Sequence, residues 1–164
     1  MTDEKKMQQA QLVYNTFCSM LDSKGWKYQR HDEELVIICG ARGNDLPMQL
    51  MVIVNPRAQI VSILSPLPFK VPQEKINDMT VAVCHANYGF INGGFDLNVS
   101  DGKLRFRLAT SFYDAVLGEG LLEYMIMVSC KTTDDYNDKF FAIAHGDLSV
   151  QQFIEDDIAR RNGK

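Results

Sequence analysis

Histidine and cysteine are scarce in this chain, and the few present stand apart from one another. The histidines are His31, His85 and His145, and none pairs with another at a metal-ligand spacing such as H-x-x-x-H. The cysteines, Cys18, Cys39, Cys84 and Cys130, lie far apart in apolar surroundings. Zinc and redox motifs pair cysteines at short spacing, so neither is indicated, and reduced, buried thiols of a cytoplasmic protein are expected. Positive charge is not in excess either. Seventeen Lys and Arg against 21 Asp and Glu leave a net charge of −4. A duplex-binding protein shows a basic excess or stripe, so no nucleic-acid partner is expected. No stretch approaches the roughly 20 apolar residues of a membrane span. The opening Met1-Thr2-Asp3-Glu4-Lys5-Lys6 runs into a polar, Gln-rich segment instead of a signal-peptide core, which sets a cytoplasmic expectation.

What the chain does have is an ordinary globular composition, 46% hydrophobic and 23% charged over 164 residues. That length suits one domain, burying roughly 68–70% of its unfolded surface without staples.

The clearest local pattern runs from Phe95 to Leu108. Phe95, Leu97 and Val99 alternate with Asp96 and Asn98. Leu104, Phe106 and Leu108 alternate with Lys103, Arg105 and Arg107. Period-two alternation marks strands with one buried face. Asp101-Gly102 between them suits a two-residue type I′ turn. That turn predicts Val99 opposite Leu104, Leu97 opposite Phe106, Phe95 opposite Leu108, and Asp96 opposite Arg107. A cross-strand charge pair of this kind contributes roughly 0.2–1 kcal/mol.

Ahead of the hairpin, Pro72 to about Tyr88 reads as a helix opened by proline at its first position. Ile76, Met79, Thr80, Val83 and Asn87 form its inward side, with Cys84 beside them. Gly89, Gly93 and Gly94 break the chain before the first hairpin strand. Toward the N-terminus, Glu4 to Ser23 is a helix with a stripe of Ala10, Val13, Phe17, Met20 and Leu21, and Tyr14 alongside. Lys24-Gly25 ends it. Trp26 to Arg30 is a short edge strand. Leu35 to Ala41, Met48 to Val54 and Ile60 to Leu64 are strands joined by short turns, hence an antiparallel meander. Ser65-Pro66-Leu67-Pro68 reads as a break, because proline is foreign to a central strand.

After a connection over Ser111 to Gly118, the pattern turns helical from Glu119 to Ala144. Its stripe is Leu121, Met125, Val128, Thr132 and Tyr136, with a possible break at Asp134-Asp135. Gly146 ends it. Ser149 with Gln152 three residues on signals a capping box for a last helix, striped by Val150, Phe153, Ile154 and Ile158. Arg160 to Lys164 reads as a frayed tail. The order is α-β-β-β(β)-α-β-β-α-α. It has no Rossmann alternation and implies an α+β fold, an antiparallel sheet packed by helices on one face. The bare face should carry the polar side of the hairpin unless a second chain covers it. Residues 1–146 form the domain, with 147–164 a helical extension and tail.

Asn87-Tyr88-Gly89-Phe90, Gly94-Phe95-Asp96-Leu97 and Asp101-Gly102-Lys103-Leu104, set after a helix, a meander and a helix, resemble the YbjN family. The resemblance spans about Glu4 to Ala144. Those bacterial proteins are proposed sensory transduction regulators, with a fold similar to type III secretion chaperones, small acidic dimers that bind unfolded segments of clients. The resemblance implies structural roles for Asn87, Gly94, Phe95 and Gly102, and it brings no catalytic residue.

No other constellation carries chemistry. Cys84 and His85 are adjacent, and neighbours on a helix point about 100° apart, too far to share one ion. His31 and His145 read as exposed loop residues. Gly40-Ala41-Arg42-Gly43 lacks a phosphate-loop pattern and reads as a hairpin connection. Gly118-Glu119-Gly120 opens a helix, but Glu119 competes with any anion there. Asp134, Asp135 and Asp138 lack the ligand order of a calcium loop. No catalytic, cofactor-binding or metal residue is therefore assigned. Met48, Met51, Met125 and Met127 lie in apolar elements and suit either core filling or an adaptable binding surface. The expected function is a non-enzymatic protein-binding module, chaperone-like or regulatory, acting as a homodimer on another protein. The alternative is a small-ligand sensor with a pocket between helices and sheet.

Overall fold

A computed structural model describes residues 2–163. The chain is α+β. In order its elements are α1 (Asp3–Ser23), β1 (Tyr28–His31), β2 (Val36–Arg42), β3 (Pro47–Asn55), β4 (Ile60–Lys70), α2 (Ile76–Tyr88), β5 (Gly94–Leu97), β6 (Lys103–Ser111), α3 (Glu119–His145) and α4 (Val150–Asn162). The strands form one antiparallel sheet in the order β1-β2-β3-β4-β6-β5.

Alternation decides which face is covered. Ile37 and Cys39, then Leu50, Val52 and Val54, then Val61, Ile63 and Leu67, then Leu104, Phe106 and Leu108 are all buried. Ser65 is buried on the same side, and the residues that alternate with these on each strand are half-buried or exposed. A strand sends successive side chains to opposite faces, so all the burial lies on one face, the one that α1, α2 and α3 contact. The α1 stripe holds as read: Ala10, Val13, Tyr14, Phe17, Met20 and Leu21 are all buried. Phe95, Phe106, Tyr136, Phe140 and Phe153 meet edge to face or at a tilt, with Phe95 and Phe140 ring centroids 4.9 Å apart, and join the hairpin to α3 and α4.

The hairpin keeps its faces and changes its register. Phe95 pairs with Phe106, Asp96 with Arg105 and Leu97 with Leu104, two residues off the predicted pairing. A two-residue slip leaves every side chain on its own face, so the alternation could not detect it. The turn is longer than two residues. The Gly102 N–H reaches the Asn98 carbonyl, and the Asn98 N–H reaches the Lys103 carbonyl. Within the turn only Gly102 has positive φ, whereas a type I′ turn needs two such residues. Asn98 Oδ1 accepts from the Ser100 N–H, and Asp101 Oδ1 from the Lys103 N–H; these side-chain bonds stabilise the wider loop. Val99 is left in the turn, 55% exposed.

Readings on four further elements, β4, α2, α3 and α4, are corrected. Ser65 to Pro68 is strand: β4 runs through both prolines to Lys70. The β3–β4 ladder has already ended at Met51–Leu64, and the β4–β6 register shifts between Pro66 and Lys70. The prolines therefore lie in an overhang with edge character, where a missing N–H is tolerated. Pro72 is extended and precedes a 3-10 turn over Gln73–Lys75, so α2 starts at Ile76. Its buried face is Met79, Ala82, Val83 and Ala86, a rotation that leaves Thr80 and Cys84 exposed. α3 continues unbroken past Asp134-Asp135, and its stripe is Leu122, Met125, Ile126, Ser129, Thr133, Tyr136, Asn137 and Phe140, with Leu121 outside. α4 buries Phe153 and Asp157, leaves Ile158 exposed, and includes Arg160 and Arg161, which are not frayed.

The positions that the YbjN resemblance marked as structural have visible tasks. The Asn87 amide bridges the β5 edge, accepting from the Phe95 N–H at 2.8 Å and donating to the Phe95 carbonyl at 3.0 Å. A side chain thus satisfies an edge strand that has no further neighbour. Gly102 has φ +71°, and a Cβ there would collide with the Val71 backbone, whose N–H bonds the Gly102 carbonyl at 2.9 Å.

Candidate functional site

The face of the sheet opposite the helices is the first candidate. Strand register places Ile38, Met51 and Leu64 side by side, and Val36 beside Ile53. All five are half-buried although no helix covers them, so they form a contiguous apolar stripe. Arg105 and Arg107 of β6 border it on one side, and Arg42 of β2 stands near its other end. Asp96 sits between the two β6 arginines. It accepts from Arg107 Nε at 2.8 Å and Nη2 at 3.1 Å, and from Arg105 Nε at 3.3 Å. The Arg107 guanidinium, above all, holds the Asp96 carboxyl below the usual carboxylate range. The predicted Asp96–Arg107 pair thus exists, reached diagonally instead of directly across.

Where β4 runs on past the end of its ladder with β3, the face deepens into a groove of about 1020 Å³. Met51, Leu64, Pro66, Pro68 and Leu97 give it an apolar lining, and Lys70, Asp101, Lys103 and Arg105 are its charges together with Asp96. No helical residue lines it. The sensor reading had placed its pocket between helices and sheet; this groove is built by strands and a turn.

The second candidate lies among the helices and was missed in the sequence. Asp157 of α4 is buried, 3% exposed. Its Oδ1 accepts from Tyr136 OH at 3.0 Å and Arg160 Nη2 at 2.7 Å. Its Oδ2 meets Arg161 Nη2 at 2.6 Å and His85 Nε2 at 3.0 Å. Burial raises the Asp157 pKa, but the hydrogen bonds from Arg160 and Tyr136 and the charges of both arginines outweigh it, so the carboxyl is held below its ordinary value. Every oxygen is used, and the partners come from α2, α3 and α4. The arrangement clamps α4 to the domain; it places no nucleophile beside His85. A signal existed: Asp157 falls one turn after Phe153, on the apolar side of α4.

A third set is polar and unpaired. Ser129, Thr133 and Asn137 follow one another at four-residue steps on α3, and Ser65 lies on the inner face of β4, which α3 covers. All four are buried, and their side-chain polar atoms have no hydrogen-bond partner among the described residues. Each such group costs about 1–3 kcal/mol.

The remaining residues singled out in the sequence do not converge. Asp134 accepts from the Asn44 N–H and side-chain amide, both at 2.8 Å, docking the β2–β3 turn on α3. Asp135 pairs with Lys131 and Asp138 with Lys139. Among the described residues no group of three or more His, Cys, Asp or Glu could hold a metal. Gly118 caps α3 with no side-chain bond, and Gly40 to Arg42 are strand. His145 is at the end of α3, its Nδ1 2.9 Å from the Phe141 carbonyl. Cys18 and Cys39 are buried as expected, and burial pushes the Cys39 thiol up to about 12 and the Cys130 thiol to about 11. Cys84 is exposed, contrary to expectation, because the inward face of α2 is rotated away from it. Met48 and Met125 are core, Met51 joins the stripe, and Met127 is exposed. No helix among the described residues is long and apolar enough to cross a membrane.

No family model and no curated protein matches the chain. Among solved structures it is similar to the crystal structure of YbjN, a candidate transcription regulator from E. coli, at a TM-score of 0.58 and 12% identity over 80% of this chain and 92% of that one. Agreement in architecture at so low an identity is agreement of fold, and this chain has the YbjN-like fold.

Proposed function

We propose that this chain is a non-catalytic protein-binding module, chaperone-like or regulatory, that acts as a homodimer through the uncovered face of its sheet. The observation that carries this reading is the stripe of Val36, Ile38, Met51, Ile53 and Leu64. Contiguous apolar surface on a folded domain marks an interaction site. The YbjN neighbour's description as a candidate regulator is consistent with it. The test is light scattering of the wild-type protein and of an Ile38→Asp/Ile53→Asp variant, with capture from a native lysate in parallel. The expected result is twice the chain mass for the wild type, the single mass for the variant, and captured protein lost with the variant. A wild type that stays single at high concentration removes the dimer, and captured protein indifferent to the variant removes the stripe.

The second reading, a small-ligand sensor, is favoured by the groove alone, whose volume matches the roughly 300–1,000 Å³ of ligand sites.

A further inference from the structure

We infer that the groove between the β4 overhang and the β5–β6 hairpin binds an extended segment of a partner protein in which large aliphatic side chains stand beside carboxylates. The inference rests on the protein-binding reading above and names the chemistry of the segment.

The floor fixes the aliphatic part. Met51 and Leu64 close the groove where the β3–β4 ladder ends, and Pro66, Pro68 and Leu97 line it further out. These surfaces bury Leu-like side chains. They lack the row of aromatic platforms on which bases stack, Phe69 being the one aromatic residue of the lining.

The rim fixes the charge. Two carboxylates and three cations line the groove, and the carboxylates are already engaged. Asp101 pairs with Lys103 at 3.1 Å. Arg107, outside the lining, takes both oxygens of Asp96, so Arg105 keeps one bond of 3.3 Å. Lys70 makes no ion pair or hydrogen bond of its own among the described residues; its ammonium acts on Asp101 only at longer range, as the last of the influences that lower that carboxyl. On a chain of net charge −4, this rim therefore offers Lys70 and Arg105 to an anion.

The prolines fix the mode. Pro66 and Pro68 have no N–H, so a guest cannot extend the ladder through them, and recognition runs through side chains: apolar groups into the floor, carboxylates to the rim.

The test is fluorescence anisotropy with labelled octapeptides of alternating Leu-Glu, Leu-Lys and Ser-Glu. They are titrated with the wild-type protein and with a Lys70→Glu/Arg105→Glu variant, both positions being exposed enough to leave folding intact. The Leu-Glu peptide binds the wild type. The Ser-Glu peptide, and the variant with Leu-Glu, are each at least about tenfold weaker, and the variant gains affinity for Leu-Lys. Equal affinity for Leu-Glu and Leu-Lys, or indifference to the variant, overturns the inference. Displacement of the labelled peptide by phosphatidylserine vesicles, or by laurate at similar concentration, overturns it in favour of a membrane or a small ligand. No peptide binding, with lysate capture still sensitive to Ile38→Asp/Ile53→Asp, rejects the groove and spares the module. Loss of both rejects the two together.

Discussion

Two aspartates, Asp157 and Asp96, each lie between two arginines on opposite sides of this molecule. Asp157 is enclosed by α2, α3 and α4, with both oxygens saturated by Arg160, Arg161, Tyr136 and His85. Asp96 lies on the bare face of the sheet, its side chain 34% exposed, and one of its arginines is only loosely held. The ingredients are alike and the surroundings differ. A buried carboxylate that gathers partners from three helices organises the fold, since removing it unties them. A carboxylate in water contributes little to folding and instead sets which charges remain free for others.

The sharpest way to break this contrast is Asp157→Ala. It removes the one carboxylate that both Arg160 and Arg161 meet, leaving Arg160 only its 4.0 Å contact with Asp135, and should cost about 3 kcal/mol, the low end for a broken buried pair because both arginines keep access to water. Urea denaturation followed by circular dichroism reads it; a loss below about 1 kcal/mol would make Asp157 an ordinary surface acid. The pH dependence sharpens the same point. The folded-state pKa of Asp157 is lowered, so its contribution is fully present above the unfolded value, about 3.9, and is lost as pH falls through the folded value. Stability measured from pH 7 down to pH 3 should therefore decline more steeply in the wild type than in Asp157→Asn, and parallel curves would refute the assignment.

The next effect has the opposite sign. Thr133→Val removes a buried hydroxyl that has no partner among the described residues and keeps the shape, so it should stabilise by about 1 kcal/mol. Any loss in thermal denaturation would mean that the hydroxyl has a partner. The smallest effect is Asp96→Asn, below about 1 kcal/mol given its exposure. Its consequence should be chemical instead: Arg105 and Arg107 are released, and affinity for the Leu-Glu peptide rises. Equal affinity would show that Asp96 does not govern the rim.

How much could be read in advance follows the same division. Alternation gave the hairpin faces, and helical spacing gave the α1 stripe, because burial repeats with the period of the element. The register of Phe95 against Phe106 was beyond it, since pairings two residues apart bury the same side chains. Pro66 and Pro68 hid the second half of β4; a rule about central strands was applied where the neighbouring ladder had stopped. Asp134-Asp135 looked like a break in α3 because their salt and hydrogen bonds to Lys131 and Asn44 join side chains that propensity does not count. Asp157 showed its place on the apolar side of α4 but not its role, for a related reason: its partners Tyr136 and His85 are 21 and 72 positions away. Of the groove, its lining residues were individually familiar, but their meeting depends on β4 and β3 parting at Met51–Leu64, each running on as strand without the other.

That overhang has one more effect. A strand end with an open flank is ordinarily a template onto which a stranger's backbone can zip, and fibres grow from such templates. Here two of its last five residues are imino acids, which deny the intruder its hydrogen bonds. The flank can thus stay apolar without offering a stranger's backbone a template.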